Sequence, residues 1–253
     1  MDKQEIIGKI NNARLQRMLN NHYSMDTIDH ITGIWSVGDA FTFAYEDHGV
    51  RRLTFFAKDW RSVDELLKKV DGGSYYMEFM TKDPNEYKPA DSTLTARMMR
   101  LANADCRSVF TGDSPVLQYR DNTAVLKPGA EDVKEINSIL WDIFRTEISH
   151  LLSDDELKEK LDQFTVHKSN GSIDALLQAE VMPKKFYINQ IVNRGEKRVI
   201  HALLLNRLEQ YVEAGGKYLY AWVEENNIAS LKFHAKYGLK HDGMWSVIYR
   251  LER

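Results

Sequence analysis

The sequence predicts an α/β (α+β) chain made of two related halves, residues 1–121 and 122–253, each a mixed, mostly antiparallel sheet flanked by helices. Three observations carry this. Short runs of β-branched and aromatic residues alternate with turn residues at hairpin spacing. Helical apolar stripes end at paired glycines, Gly72-Gly73 and Gly215-Gly216. The order helix, three strands, helix, strand, helix, strand can be read twice along the chain, without obvious residue identity between the copies.

In the first half, Lys3 to about Asn21 reads as a helix, with Ile6, Ile10, Ala13, Leu15 and Met18 along its apolar stripe. Three strands follow, Ile31 to Val37, Ala40 to Tyr45 and Val50 to Ala57. Gly38-Asp39 and Glu46-Asp47-His48-Gly49 supply the turns between them. Val63, Leu66, Leu67 and Val70 fall at i, i+3, i+4 and i+7, which marks a helix that stops at Gly72-Gly73. A strand from Tyr75 to Met80 and a helix around Leu94 to Ala102 complete the half.

The second half follows the same order. A helix from Asp132 carries Ile136, Leu140, Ile143, Phe144 and Leu151 on one side, and Ser153-Asp154-Asp155-Glu156 has capping-box spacing for the next helix. Strands are expected at Thr165 to Lys168, Ile173 to Val181 and Lys185 to Val192, the first two joined across Asn170-Gly171. A four-turn helix with Ile200, Leu204, Leu208 and Tyr211 on one face ends at Gly215-Gly216. Strand Tyr218 to Val223, helix Ala229 to Tyr237 and strand Met244 to Leu251 close the chain.

Composition narrows the function. The 253 residues are 43% hydrophobic and 28% charged with few prolines, the profile of an ordinary globular protein. No run approaches the roughly 18 apolar residues of a membrane span and the N-terminus lacks a signal-peptide pattern, so a cytoplasmic location and no membrane partner are expected. The single cysteine, Cys106, excludes an intrachain disulfide and a thiol zinc cluster, and reads as a small buried apolar residue. A net charge of −3 gives no general attraction to phosphate backbones, so no nucleic-acid partner is expected. The five tryptophans and many Tyr and Phe read as core filling before they read as a stacking surface.

The stretch Tyr218 to Leu239 carries the functional signal. An apolar strand, Tyr218-Leu219-Tyr220-Ala221-Trp222-Val223, is followed by Asn226, by Ala229 three residues on, and by an aromatic helix closed by Gly238-Leu239. This resembles the signature of the GNAT N-acetyltransferase superfamily around its fifth strand and fourth helix. The resemblance covers Thr123 to Arg253. It reaches the first half only through element order, as in tandem arrangements with a degenerate GNAT-like N-terminal half.

The resemblance implies acetyl-CoA as acyl-donor substrate, lying between two parting strands, with no metal. It places the pantetheine against the backbone of Ile188 to Val192, with an N–H of Ile191 or Val192 polarising the thioester, and adds Asn226 at the helix entrance. The family's glycine-rich phosphate loop corresponds to Asn193-Arg194-Gly195-Glu196-Lys197-Arg198-Val199, where Gly195 alone survives. Arg194, Lys197 and Arg198 are read either as phosphate ligands or as a solvated helix start. His234 stands four residues before Gly238, where many family members carry the tyrosine that protonates the CoA thiolate. It is read either as that acid or as a structural histidine. Glu224 and Glu180 are candidates for taking the proton of the amine, and His167 and His201 have no assigned role.

The implied activity is acyl-CoA-dependent N-acyl transfer, by direct attack of an amine of a small molecule or peptide. An alternative is a catalytically inactive GNAT-fold ligand-binding or regulatory module. A third, ranked last on charge, is an aminoacyl transferase using charged tRNA.

Overall fold

The computed structural model describes residues 3–21, 25–112, 114–120 and 123–253, so the boundary expected between residues 121 and 122 lies outside the described residues. The chain forms two compact units, each drawn from separated stretches. The first comprises Met1–Arg97, Arg145–His150 and Met244–Arg253, and the second Met98–Phe144 and Leu151–Gly243. Among the described residues no helix is long and apolar enough to cross a membrane.

In the first unit, α1 (Lys3–Leu15) places Ile6, Ile10 and Ala13 against Phe41, Phe43, Tyr45 and Phe56. A short β1 (Leu19–Asn20) pairs with β4, and β2 (Ile31–Val37), β3 (Ala40–Asp47) and β4 (Val50–Ala57) form an antiparallel meander. His48 and Gly49 turn β3 into β4 at φ 49° and 82°, the left-handed backbone that a two-residue hairpin demands. α2 (Trp60–Leu67), capped by Asp59, buries Val63, Leu66 and Leu67 with Ala44, Leu53 and Phe55. With helices on both faces, β3 and β4 are buried almost throughout rather than at alternate residues. β5 (Ser74–Thr81) meets β4 in parallel at Arg52↔Tyr76, and residues 245–252 of the chain's last strand pair antiparallel with β5.

The helix expected around Leu94 to Ala102 is instead a strand, β6 (Ser92–Asn103). Its Leu, Met, Ala and Arg residues favour a helix locally, but residues 98–103 pair antiparallel with residues 219–224 in the second unit, and that non-local ladder outweighs propensity. Cys106 is fully buried, and burial pushes its thiol up to about 11, as expected of an inert packing residue.

The second unit repeats the meander in β7 (Phe164–Ser169), β8 (Ser172–Met182) and β9 (Lys185–Asn193), and again a hairpin turn, Asn170-Gly171, takes φ 52° and 83°. α3 (Val133–Ile143) and α4 (Asp154–Glu159) cover one face. Ser153 and Glu156 form the expected capping box, whereas α3 ends before Leu151, which reaches the same core from a loop. α5 (Lys197–Glu213) covers the opposite face with Leu203, Leu204 and Leu208 fully buried, each contributing about 1.5–3 kcal/mol by removal from water. It closes in a Schellman turn: the Gly216 N–H donates to Tyr211 and the Gly215 N–H to Val212, with Gly215 at φ 87°. β10 (Tyr218–Glu224) pairs in parallel with β9 and antiparallel with β6. α6 (Ile228–Ala235) and β11 (Lys240–Glu252) follow.

A charged cluster distinguishes the first unit. Arg52, 4% exposed, donates Nε to Asp47 at 2.6 Å and Nη2 to the Thr146 carbonyl at 2.7 Å. His150 joins Asp47 (2.8 Å) to Glu78 (3.7 Å), and Ser246 donates to Glu78 at 2.5 Å. Burial alone would raise both carboxyl pKa values, but hydrogen bonds and charge from His150, with Arg52, outweigh it and bring Asp47 and Glu78 down to about 2. Burial would lower the His150 pKa, and bonds to the two carboxylates raise it instead.

The signs define a pH window. The histidine's contribution is complete below about 6.5 and is lost as pH rises through the raised folded value. The carboxylates contribute fully above about 4 and lose their contribution as pH falls toward 2. The urea midpoint is therefore expected to fall between pH 6 and 8.5, and His150→Gln to remove that fall. Parallel profiles for both proteins would show that His150 is not the titrating group.

Candidate active site

In the second unit, β9 and β10 run together from Tyr218↔Lys185 to Ala221↔Ile188, where their pairing ends. At the same level the β8/β9 register slips, with Gln178 opposite Gln190 but Ala179 opposite Ile188, so Asn189 is the extra residue of a β-bulge. The bulge inverts the side-chain phase. Phe186 and Ile188 face the α5 core, whereas Val192 belongs to the core under α3 and α4. Beyond it β9 stays with β8 and β10 stays with β6, so the sheet opens into a wedge. Successive backbone N–H groups point to opposite strand edges, so one of Ile191 and Val192 aims its N–H into this wedge.

The α5 entrance has a different character from a glycine-lined loop. Asn193 to Arg198 are exposed, and Glu196 caps α5 without a side-chain bond to its first turn. Arg198 pairs with Glu196 at 2.7 Å and Arg194 reaches Asp142 at 3.7 Å, so two of the three expected cations already face carboxylates. Gly195 has a local reason of its own: a Cβ there would sit 2.7 Å from an Asp174 oxygen, and Asp174 also accepts the Arg194 N–H and pairs with His167 at 2.6 Å. Val199 is buried in the α5 core, and its N–H already donates to the Glu196 carbonyl.

At the wedge's far end, Glu224 is half-buried and closes β10, and exposed Asn226 offers its carbonyl to the Ile228 N–H. The α6 cap is the next residue, Asn227, whose side chain accepts from the Ser230 N–H at 3.0 Å. His234 is 4% exposed, with Nδ1 2.8 Å from the Ser230 carbonyl. A carbonyl can only accept, so Nδ1 carries the proton and Nε2 is a bare lone pair, buried without a partner. Burial lowers the His234 pKa to about 4, so at neutral pH the ring is an acceptor with no spare proton.

Sequence reasoning left His201 unassigned, and the structure gives it a place. It is fully buried, stacked on Tyr119 at 4.2 Å and beside Phe233 at 4.9 Å, with Nδ1 2.8 Å from the Tyr237 hydroxyl. Burial and the nearby lysines lower its pKa to about 4, so it joins α5 to α6 as a neutral ring. The sequence offered no signal for this pairing.

No family model matches the chain, and no curated protein does. Solved structures match over most of its length. A GCN5-related N-acetyltransferase from Sphaerobacter thermophilus is 11% identical at TM-score 0.57, covering 84% of this chain and 76% of that one. A protein from Novosphingobium aromaticivorans DSM 12444, described as an acetyltransferase from the GNAT family, is 12% identical at TM-score 0.54 and covers 84% and 88%. A tandem GNAT protein from the clavulanic acid biosynthesis pathway is 12% identical at TM-score 0.53 and covers 84% and 78%. The chain thus has a GNAT-like fold, a mixed and mostly antiparallel sheet flanked by helices.

Proposed function

We propose that this chain is an acyl-CoA-dependent N-acyltransferase, with acetyl-CoA as donor and a small-molecule or peptide amine as acceptor, and that transfer takes place in the wedge between β9 and β10. The wedge carries the reading: strands that part after Ile188↔Ala221, beside a bulge, expose a backbone edge that an extended pantetheine amide chain can pair with. CoA supplies the thioester. The Ile191 or Val192 N–H stabilises charge on its oxygen, the role for which fixed donors count most. Arg194 and Arg198, exchanging their present carboxylate partners, hold the phosphates together with Lys197, and Asn226 lines the entry. Glu224 takes the proton of the attacking amine, directly or through water; the nitrogen bonds to the thioester carbon, the C–S bond breaks, and the departing CoA thiolate takes its proton from water.

His234 does not enter as the acid. As a neutral ring with Nε2 buried it has no proton to give, so it does not protonate the thiolate. His234→Ala is expected to keep kcat within about threefold, against the 10²-fold or greater loss of a general acid, and to leave the alkaline limb of the pH profile in place. Loss of that limb together with 100-fold of kcat would restore the acid role. The assay is thiol release from acetyl-CoA across a panel of amines.

The first unit supports the reading of a degenerate half. The hollow beside its own β4/β5 pair is lined by Arg52, Glu78 and His150, charged groups linked to one another through Asp47 and His150. A second reading, a binding module without transfer, draws on the carboxylates Asp142 and Glu196 that already neutralise the loop cations. It predicts CoA binding with no turnover on any amine.

A further inference from the structure

The face of β9 and β10 turned away from α5 carries an aromatic platform that the transfer chemistry above does not use. Tyr187 and Tyr220 are register partners, and their rings stack 4.8 Å apart with 12° between planes. Tyr218 lies 5.8 Å from Tyr220, and Trp222 follows two residues on along the same face. All four are half-buried, while the alternate residues Phe186, Ile188, Leu219 and Ala221 fill the α5 core. The core under α3 and α4 takes β7, Ile173, Leu176 and Val192, and does not include the platform. The Tyr187–Tyr220 row stands one residue before the point where the strands part.

This face carries the exposed Lys185, register partner of Tyr218, and two half-buried carboxylates, Glu180 and Glu224. Arg100, across from Trp222, pairs with Asp242 at 2.7 Å and stands over the Trp222 ring 5.9 Å from its centre. Glu180 is the register partner of Tyr187 and half-buried, and it has no hydrogen bond or ion pair among the described residues. A half-desolvated carboxylate beside ring faces is poorly satisfied by itself and well satisfied by a cation, because ring faces and carboxylate are both negative. A small anion is repelled by this combination, and a neutral hydroxyl gains a hydrogen bond from the carboxylate without the attraction of opposite charge.

We infer that this platform is the acceptor's seat, and that the acceptor is a primary ammonium on an apolar body of aromatic size, with the ammonium on Glu180 and the body on Tyr187, Tyr220 and Trp222. The identification of the ligand as acceptor rests on the acyl-transfer reading, but the seat itself does not.

The test uses the full chain and 2-phenylethylamine as probe, titrated by calorimetry and by Tyr/Trp fluorescence with and without acetyl-CoA, beside its neutral isostere 3-phenylpropanol and ring-free butylamine. Saturable binding is expected for 2-phenylethylamine, about tenfold tighter than for either comparison compound. Glu180→Gln should bring the amine down to the level of the alcohol, and Tyr187→Leu with Tyr220→Leu to that of butylamine, with acetyl-CoA binding unchanged in both. Circular-dichroism melting identifies any variant that has not folded, and the isosteric Glu180→Gln remains as the decisive one. Equal affinity for amine and alcohol, or an unaltered Glu180→Gln, overturns the inference. Acetyl-CoA binding without any amine binding also overturns it while leaving the transfer reading intact. Amine binding without acetyl-CoA binding upholds the ammonium seat and removes the transfer reading.

Discussion

Arg52→Ala is expected to destabilise the first unit by about 3–5 kcal/mol, the cost of taking one partner out of a buried ion cluster and leaving Asp47 with His150 alone. The guanidinium is 4% exposed and each of its three nitrogens donates, to Asp47 at 2.6 Å and to the carbonyls of Thr146 and Glu147 at 2.7 and 3.3 Å. Alanine leaves a 15% exposed carboxylate and two carbonyls facing a hole. At about 2–4 °C per kcal/mol for a chain of this size, the melting midpoint near pH 6 should fall by about 6–20 °C. Arg52→Lys should recover only part of this, since a single ammonium cannot match the planar fork. A loss below about 1 kcal/mol for Arg52→Ala would mean that water substitutes for the guanidinium and that the cluster does not hold residues 145–150.

Saturating acetyl-CoA is expected to raise the melting midpoint of the wild-type chain by about 5–10 °C, from roughly 2.7 kcal/mol of linkage at a hundredfold excess over Kd. Arg198→Glu should weaken acetyl-CoA binding at least tenfold, because it removes a cation at the α5 entrance and adds a second carboxylate beside Glu196. Arg61→Glu is the control, since Arg61 is 88% exposed on α2 of the first unit. A melting shift that is the same in wild type, Arg198→Glu and Arg61→Glu would remove α5 from the phosphate site. No shift in any of them would remove CoA as a ligand.

Elements legible along the chain were those whose cause is local. His48-Gly49 and Asn170-Gly171 supply left-handed backbone wherever they stand, Ser153 and Glu156 cap each other across one turn, and Gly215 ends α5 through bonds within six residues. The apolar stripe of α5 showed its buried face for the same reason. The wedge was legible as a resemblance, but the residue that opens it, Asn189, gave no sign in its own identity. A bulge is a property of two strands in register.

Composition and local pattern thus settled α2, α4, α5, the hairpins and the mixed-sheet class of this chain, because these elements rest on contacts within a few residues. Tertiary pairing settled the rest. The segment Ser92–Asn103 became a strand because residues 219–224 offered it a ladder, and the chain's last strand paired with β5 at a separation of more than 160 residues. Likewise the proton on His234, the crowding of Asp174 against Gly195 and the unpaired charge of Glu180 depend on which groups the fold brings within a few ångströms. Hydrogen bonding, burial and charge act over such distances in space, and the sequence lists only neighbours along the chain.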